Sequence, residues 1–323
     1  MLVEPLNRPA QTSASCVDRN PLTACATSAC GALADNTERA RRSDLAIYVA
    51  WCGARGEPAL PARAETVAAF VDAMAKQRAP ATVRRYVASI AAAHRAMGFE
   101  KTTRSEPVRR ALARMHRRKG RRQAQAEGLN WALLERLMDA TGDTLIDARN
   151  RALLAVAYDT LLRRGELVAL QVSDIVAEAD GSGTVLVRRS KTDKEGRGET
   201  LYLAPDSVAL VRAWCERSGV AGGRVFRSLN RGALGERLDA SQVPRIFKTM
   251  AERAGLPAEI VARISGHSTR VGAAQDMVAE GIGMPAILDA GRWKTTAMVH
   301  RYGERLLARR SGAAQLARLQ RRA

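Results

Sequence analysis

The sequence predicts a mainly helical protein with a small β-sheet, divided into an all-helical N-terminal domain and a mixed α/β C-terminal domain. Three observations lead to this fold class. Apolar residues recur from about residue 37 onward at the i, i+3, i+4, i+7 spacing of amphipathic helices. Residues 184–189 and 199–203 instead have the composition of two strands joined by a polar turn that contains glycine. A length of 323 residues is sufficient for two domains, each with its own core.

The first 36 residues differ in composition from the rest of the chain. Residues 1–36 are rich in Ala, Thr, Ser, Asn and Pro and show no helical periodicity. They hold too little large apolar surface to form a core, so we expect a flexible leader. They also lack the charged start and continuous apolar stretch of a signal peptide.

The helical domain is predicted over residues 37–115. Apolar stripes indicate its first three helices, the third of which begins after Pro80. A fourth helix is expected from about Ser105, because apolar residues continue there at helical spacing. Its basic end leads into residues 116–128, which have the composition of a basic linker between two domains.

The second domain is predicted over residues 129–323. A largely apolar helix over about 146–162 is expected to be buried, and the two predicted strands follow it. Helices resume at 206–219. A short amphipathic helix over about 312–321 closes the chain. An isolated helix of that length is marginal in water, so it needs a groove in which to bury its leucines.

The charge of the chain points to a polyanionic partner. Formal net charge is +19, from 52 basic and 33 acidic residues, a larger excess than solubility requires. Nucleic acid is the first candidate and a membrane surface the second, although no run of about 18 apolar residues could span a bilayer. Candidate DNA contacts could equally be ordinary solvated side chains. They are Arg84, Arg85, Arg117, Arg118, Lys119, Arg121, Arg122, Ser241, Gln242, Arg245 and Lys248.

The cysteines and acidic residues suggest no bound metal. The five cysteines include no C-x-x-C pair and no histidine at ligand spacing, so we predict neither a disulfide framework nor a zinc site. This usage fits a reducing compartment, the cytoplasm. The sequence also has no carboxylate cluster for Mg²⁺ and no glycine-rich phosphate loop, so we expect no cofactor.

A possible phosphate site lies near the C-terminal end. His267 and Arg270 are three residues apart, and on a helix their imidazole and guanidinium would share a face. Such a pair can hold one phosphate. Tyr302 stands nine residues after Trp293 and could act as a nucleophile toward that anion. Taken alone, a histidine–arginine pair or a tyrosine of this kind more often packs in the core or lies on the surface than acts in catalysis.

Two further basic residues upstream could complete this site. Arg163 follows the apolar pair Leu161-Leu162, and an arginine at the end of a buried helix is unfavourable unless an anion meets it. Arg164 is adjacent, so either arginine could face the phosphate, and the register favours Arg163. Lys191 lies in the predicted hairpin turn, where most lysines are simply exposed to solvent.

The order and spacing of these residues resemble those of the tyrosine site-specific recombinases, the phage integrase family. The resemblance covers about residues 37–323. It implies an all-helical DNA-binding, or core-binding, domain followed by a mixed α/β catalytic domain. The matching features are Leu161-Leu162-Arg163 with Glu166 three residues later, Lys191 in a strand turn, the motif from Ser265 to Arg270, and Trp293 nine residues before Tyr302.

The resemblance implies a role for each site residue. Tyr302 would attack a DNA phosphodiester, form a 3′-phosphotyrosyl bond and release a 5′-hydroxyl. Lys191 would protonate the leaving oxygen, and Glu166 would orient the arginine and histidine side chains. The groups that would stabilise charge developing on the phosphate are Arg163, His267, Arg270 and Trp293.

The resemblance also implies partners. It implies an inverted-repeat site in double-stranded DNA and self-association on DNA to a dimer and a synaptic tetramer, with no membrane partner. The helix at 312–321 would dock on a neighbouring subunit, with docking on its own domain as the alternative. A type IB topoisomerase shares this chemistry and is the nearest rival function. A non-catalytic DNA-binding regulator would be expected to lack Tyr302 or Arg270, and both are present.

Overall fold

The computed structural model of the protein describes residues 35–122, 124–188 and 198–322. The chain divides into two compact units, with the boundary between Ala124 and Gln125. Residues 1–34 of the predicted leader lie outside the described residues, and residues 35 and 36 belong to the first helix.

The described part of the first unit is a helical domain. Its core is centred on Phe70, whose ring meets the rings of Tyr48 and Trp51 edge-on at centroid distances of 4.9 and 5.3 Å. Offset and edge-on ring pairs stabilise such a core beyond their buried area. The helices are α1 (Asp35–Gly53), α2 (Ala64–Gln77), α3 (Pro80–Ala96) and α4 (Glu106–Lys119).

The predicted linker, residues 116–128, is shared between the two units. Helix α4 continues to Lys119 because its basic residues are good helix formers, and it stops at Gly120, whose φ is +70°. From Gln125 onward the chain belongs to the second unit. There Glu127 N–H donates to the carbonyl of Arg263 at 3.1 Å, and Leu129 N–H donates to the carbonyl of Ser268 at 2.9 Å.

The second unit combines helices with two small antiparallel sheets. In the larger sheet the order is β1-β2-β3, with Val185 opposite both Ile175 and Leu201. This confirms the predicted fold class, a mainly helical protein with a small sheet. The strands are β1 (Ile175–Ala177), β2 (Gly183–Val187), β3 (Glu199–Leu203), β4 (Leu229–Asn230) and β5 (Ala233–Leu234).

Helices make up most of this second unit. They are α5 (Trp131–Asp139), α6 (Leu145–Asp159), α7 (Arg164–Leu167), α8 (Pro205–Ser218), α9 (Val243–Arg253), α10 (Ala258–Arg263), α11 (Ser268–Ala279), α12 (Met284–Gly291), α13 (Ala297–Arg309) and α14 (Gly312–Leu319).

Helix α6 forms the centre of the second core. Leu153, Leu154 and Val156 are all fully buried, as its largely apolar sequence predicts. The helix packs against α8, where Trp214 is fully buried and its indole N–H donates to the carbonyl of Val225 at 2.8 Å. Helix α6 ends at Asp159, three residues before the predicted end, so the Leu161-Leu162-Arg163 segment is a connection rather than a helix end.

The last helix of the described chain has no fully buried residue. Helix α14 begins after Ser311, whose hydroxyl caps it by accepting from Ala314 N–H at 3.3 Å. None of its residues is buried, and Leu316 and Leu319 are 50% and 83% exposed. Among all the described helices, none is long and apolar enough to cross a membrane.

Candidate active site

Arg270 is the buried centre of the candidate site. It lies in the first turn of α11 and is only 3% exposed. Its Nη1 donates to the carbonyl of Leu161, and its Nη2 donates to the carbonyl of Gly291 at 3.0 Å. Burial, followed by the charges of Arg163 and Arg292, lowers the pKa of Arg270 to about 10. The group therefore stays cationic near neutral pH and is fixed in orientation.

The backbone at Leu161 is adapted to this contact. Leu161 is fully buried and has φ of +48°, in the left-handed region. A non-glycine residue in that region is destabilised by about 1–2 kcal/mol. The surrounding core holds it there, and the Leu161 carbonyl consequently meets the guanidinium of Arg270.

Glu166 binds two guanidinium groups. Its Oε1 accepts from Arg163 Nη1 at 2.8 Å, and its Oε2 accepts from Arg163 N–H at 3.0 Å and from Arg292 Nη2 at 2.6 Å. Burial raises the pKa of Glu166, but the Arg163 N–H and both guanidinium groups outweigh this and hold the pKa below its ordinary value. Glu166 therefore remains an anion between two cations. Sequence reasoning did not single out Arg292.

His267 lies at the edge of this cluster and is held by its own loop. It is the residue immediately before α11, so it is not on the helix face that the sequence suggested. Its N–H donates to Ser265 Oγ at 3.1 Å, while its carbonyl accepts from Val271 N–H at 3.0 Å. Although His267 is exposed, partial desolvation by its surroundings lowers its pKa, and the charges of Arg270, Arg164 and Arg163 lower it further. The imidazole is therefore neutral near pH 7.

The two adjacent arginines have different positions. The Arg163 side chain is 24% exposed and pairs with Glu166. Arg164 is exposed and lies over Gly266, where an added Cβ would be 3.2 Å from Arg164 Cδ. Arg163 is thus the arginine that joins the buried cluster, while Arg164 borders the loop of His267.

Trp293 lies between Arg270 and Tyr302. The Cζ atom of Arg270 is 5.3 Å from the Trp293 ring centroid, and the Tyr302 ring meets Trp293 edge-on at 5.7 Å. Gly291 permits this packing, because an added Cβ there would be 2.1 Å from Trp293 Cε3. The Trp293 indole therefore contacts both the Arg270 guanidinium and the Tyr302 ring.

Tyr302 is half-buried on α13, which begins at Ala297, after a turn. Its carbonyl accepts from Gln275 Nε2 at 3.1 Å, which ties α13 to α11. Burial raises the pKa of Tyr302, and the charges of Arg270, Arg301 and Arg163 offset part of that rise. The phenol is therefore protonated near neutral pH and must lose its proton to act as a nucleophile.

Lys191 lies outside the described residues. The strands that flank it, β2 and β3, are described and pair antiparallel as predicted. Within the described ranges, no three His, Cys, Asp or Glu side chains are grouped so that they could hold a metal ion.

The candidate DNA-contact residues are mostly exposed, and several already contact protein groups. Arg85 pairs with the buried Asp44 at 2.8 Å. The ammonium groups of Lys119 and Lys248 donate to the carbonyls of Arg78 and Ala262 at 3.0 and 3.2 Å. Ser241 and Gln242 precede α9. The exposed members of the set are Arg84, Arg85, Arg117, Arg118, Lys119, Arg121, Arg122, Ser241 and Arg245.

Comparison with known proteins gives consistent matches. Residues 127–307 match the sequence model of the Phage integrase family. The chain is 30% identical over 283 residues to the integrase/recombinase XerD homolog of Selenomonas ruminantium, covering 84% of this chain and 82% of that protein. It is 28% identical over 290 residues to recombinase Cre of Escherichia phage P1, covering 84% of each. The crystal structure of a lambda integrase tetramer bound to a Holliday junction is similar in fold, with a TM-score of 0.60 at 18% identity, over 86% of this chain and 74% of that chain.

Proposed function

The chain belongs to the phage integrase family, and from this premise we propose that it recombines DNA at inverted-repeat sites through a covalent 3′-phosphotyrosyl intermediate. The observation that carries the proposal is the arrangement around Arg270. An indole and a buried guanidinium lie beside the half-buried phenol of Tyr302, and a neutral imidazole lies near the guanidinium.

The phosphate would be bound by fixed cations. Attack on a phosphodiester increases the negative charge on its non-bridging oxygens, so cations already in place favour the transition state over the ground state. Arg270 is held by two carbonyls and Arg163 by Glu166, so neither group has to reorganise during the reaction. We assign His267 and the indole N–H of Trp293 to the same phosphate.

The covalent step exchanges one ester bond for another. The Tyr302 oxygen forms a bond to phosphorus as the bond to the DNA 5′ oxygen breaks. His267, held neutral, can accept the phenolic proton. Lys191 would give a proton to the leaving 5′ oxygen, a task suited to a mobile ammonium. A 5′-hydroxyl from a second DNA end then reverses the step onto a new strand, and no ATP is required.

The inverted repeat of the DNA site would determine how many subunits assemble on it. We assign one subunit to each half-site and a tetramer to the pair of sites. Lambda integrase, of similar fold, was solved as a tetramer on a Holliday junction. The exposed leucines of α14 support docking on a neighbouring subunit, because Leu316 and Leu319 keep 50% and 83% of their surface exposed within the described chain. Docking on its own domain remains the alternative to be tested.

The site of action would be the cytoplasm, on nucleoid DNA.

The experiment separates recombination from topoisomerase IB activity. A duplex selected by the protein from a random-sequence pool is placed in two copies on a supercoiled plasmid. Recombination predicts deletion or inversion of the segment between the copies. Relaxation of the plasmid with no rearranged product would instead support the topoisomerase alternative.

A further inference from the structure

Arg292 contacts Glu166 in the candidate site, yet it belongs to none of the predicted groups. It follows α12 with φ of +52° and ψ of +47°, a left-handed conformation that glycine adopts more readily. Its side chain is only 3% exposed. An arginine at this position therefore combines a strained backbone with a buried charge.

The guanidinium of Arg292 is only partly satisfied. Its Nη2 donates to Glu166 Oε2 at 2.6 Å, and its Nε is 3.8 Å from Glu199 Oε2, which is too far for a hydrogen bond. Within the described residues, Nε and Nη1 have no hydrogen-bond partner. Buried donors without acceptors are destabilising. Residues kept despite such strain cluster at functional sites.

The contact made by Arg292 is with the carboxylate that holds Arg163. Glu166 meets Arg163 through Oε1 and Arg292 through Oε2, so the two guanidinium groups are attached to opposite oxygens of one carboxylate. Without Arg292, Oε2 would keep only its hydrogen bond from the Arg163 backbone N–H at 3.0 Å, so every contact of the carboxylate would come from one residue. The buried Arg292 fixes the carboxylate from the other side.

We infer that Arg292 is a positioning residue, which fixes Glu166 so that the carboxylate holds the Arg163 guanidinium against the scissile phosphate. This inference rests on the proposed function. It assigns to Arg292 an effect on the rate of strand cleavage rather than on DNA affinity, because its side chain is buried against Glu166.

The first test uses two variants of Arg292. Arg292→Gly removes the side chain and suits the left-handed backbone, so the fold should be retained, which thermal unfolding checks. Single-turnover cleavage of a nicked suicide duplex, carrying the site selected by the wild-type protein, should slow about 10–100-fold with an unchanged Kd. Arg292→Lys should recover part of the rate, because an ammonium can still pair with Glu166.

A double-mutant cycle distinguishes positioning from direct action. If Arg292 acts through Glu166, adding Arg292→Gly to Glu166→Gln should cause little further loss of rate. Equal loss in both backgrounds would overturn the inference, as would an Arg292→Gly variant that cleaves at the wild-type rate. Failure of the wild-type protein itself to form a covalent product would instead count against the proposed function.

The pH profile gives a readout that a purely structural role would not change. The charged groups that face Glu166 are Arg163, Arg292 and Arg270. Removing Arg292 takes away one cation that keeps the carboxylate ionised, so the pKa of Glu166 rises. The part of the acid limb that reports protonation of Glu166 should therefore move to higher pH in Arg292→Gly and disappear when Glu166→Gln is added, while the part that reports protonation of His267 should remain in both. An unmoved limb would contradict the inference.

Discussion

At the scale of single residues, the site depends on side chains held by backbone groups. Arg270 is fixed by the carbonyls of Leu161 and Gly291. Its position therefore depends on the connection that follows α6 and on the C-terminal end of α12, which are distant in sequence. Small changes in those segments should affect chemistry more than stability, because a displacement of about 1 Å can reduce a rate about 100-fold.

Gly291 provides a test of this dependence. An added Cβ would be 2.1 Å from the Trp293 ring, so Gly291→Ala must displace the indole from its place between Arg270 and Tyr302. We expect cleavage to slow by about 100-fold, measured as the single-turnover rate. Gly222→Ala is the matched control, since nothing lies within 4 Å of a Cβ there. Equal rates for the two variants would show that the indole position is unimportant.

The residue scale also shows where prediction from sequence stops. The spacing of Arg270, Trp293 and Tyr302 is sufficient to predict that these three residues lie together, whereas His267 precedes α11 and does not share the predicted helix face with Arg270. The pairing of Arg292 with Glu166 joins positions 126 residues apart through a left-handed turn, and no periodic pattern encodes such a contact.

At the scale of secondary-structure elements, periodicity predicted most helices, and local chemistry decided where they end. Helix α6 stops at Asp159 although apolar residues continue to Leu162. The reason is tertiary: Leu161 adopts a left-handed conformation, and its carbonyl binds Arg270. Helix α4 runs to Lys119, beyond the predicted boundary at residue 115, because Gly120 is the first residue that favours termination.

Helix α14 makes the clearest prediction at this scale. Leu316 is 50% exposed on a helix with no buried residue. If this helix docks on a neighbouring subunit, Leu316→Glu should weaken tetramer formation on DNA and lower two-site recombination at least about tenfold, because a buried charge opposes docking.

The control places the same charge on another part of α14. Gln315 is exposed, and its amide donates to the carbonyl of Arg310. Gln315→Glu should leave recombination near the wild-type level. Sedimentation of the DNA complexes checks assembly directly. Unchanged assembly in Leu316→Glu, with lowered thermal stability of the free protein, would support docking on its own domain instead.

At the scale of the whole molecule, charge governs binding. The chain carries 52 basic and 33 acidic residues. Binding to DNA that neutralises phosphates releases counterions, so the logarithm of the association constant should fall linearly with the logarithm of salt concentration. The slope of this line gives the number of DNA phosphates that the protein neutralises.

Removing single charges and measuring the salt slope should distinguish basic residues that contact phosphate from those that do not. Arg118 is exposed at the end of α4 and is a candidate phosphate contact. Arg118→Ser should reduce the magnitude of the salt slope by about 0.9. Arg212→Ser removes the same charge from α8, outside the candidate set, and should leave the slope unchanged. Identical slopes for the two variants would show that Arg118 contacts no phosphate.

The proposed strand cleavage depends on Tyr302 as the nucleophile. The most direct measurement is covalent capture of a radiolabelled suicide duplex by the wild-type protein and by Tyr302→Phe. Loss of one hydroxyl leaves the ring against Trp293 and the cationic cluster in place. We predict that Tyr302→Phe binds the duplex with nearly wild-type affinity and forms no covalent complex. A covalent complex formed by that variant would contradict the account.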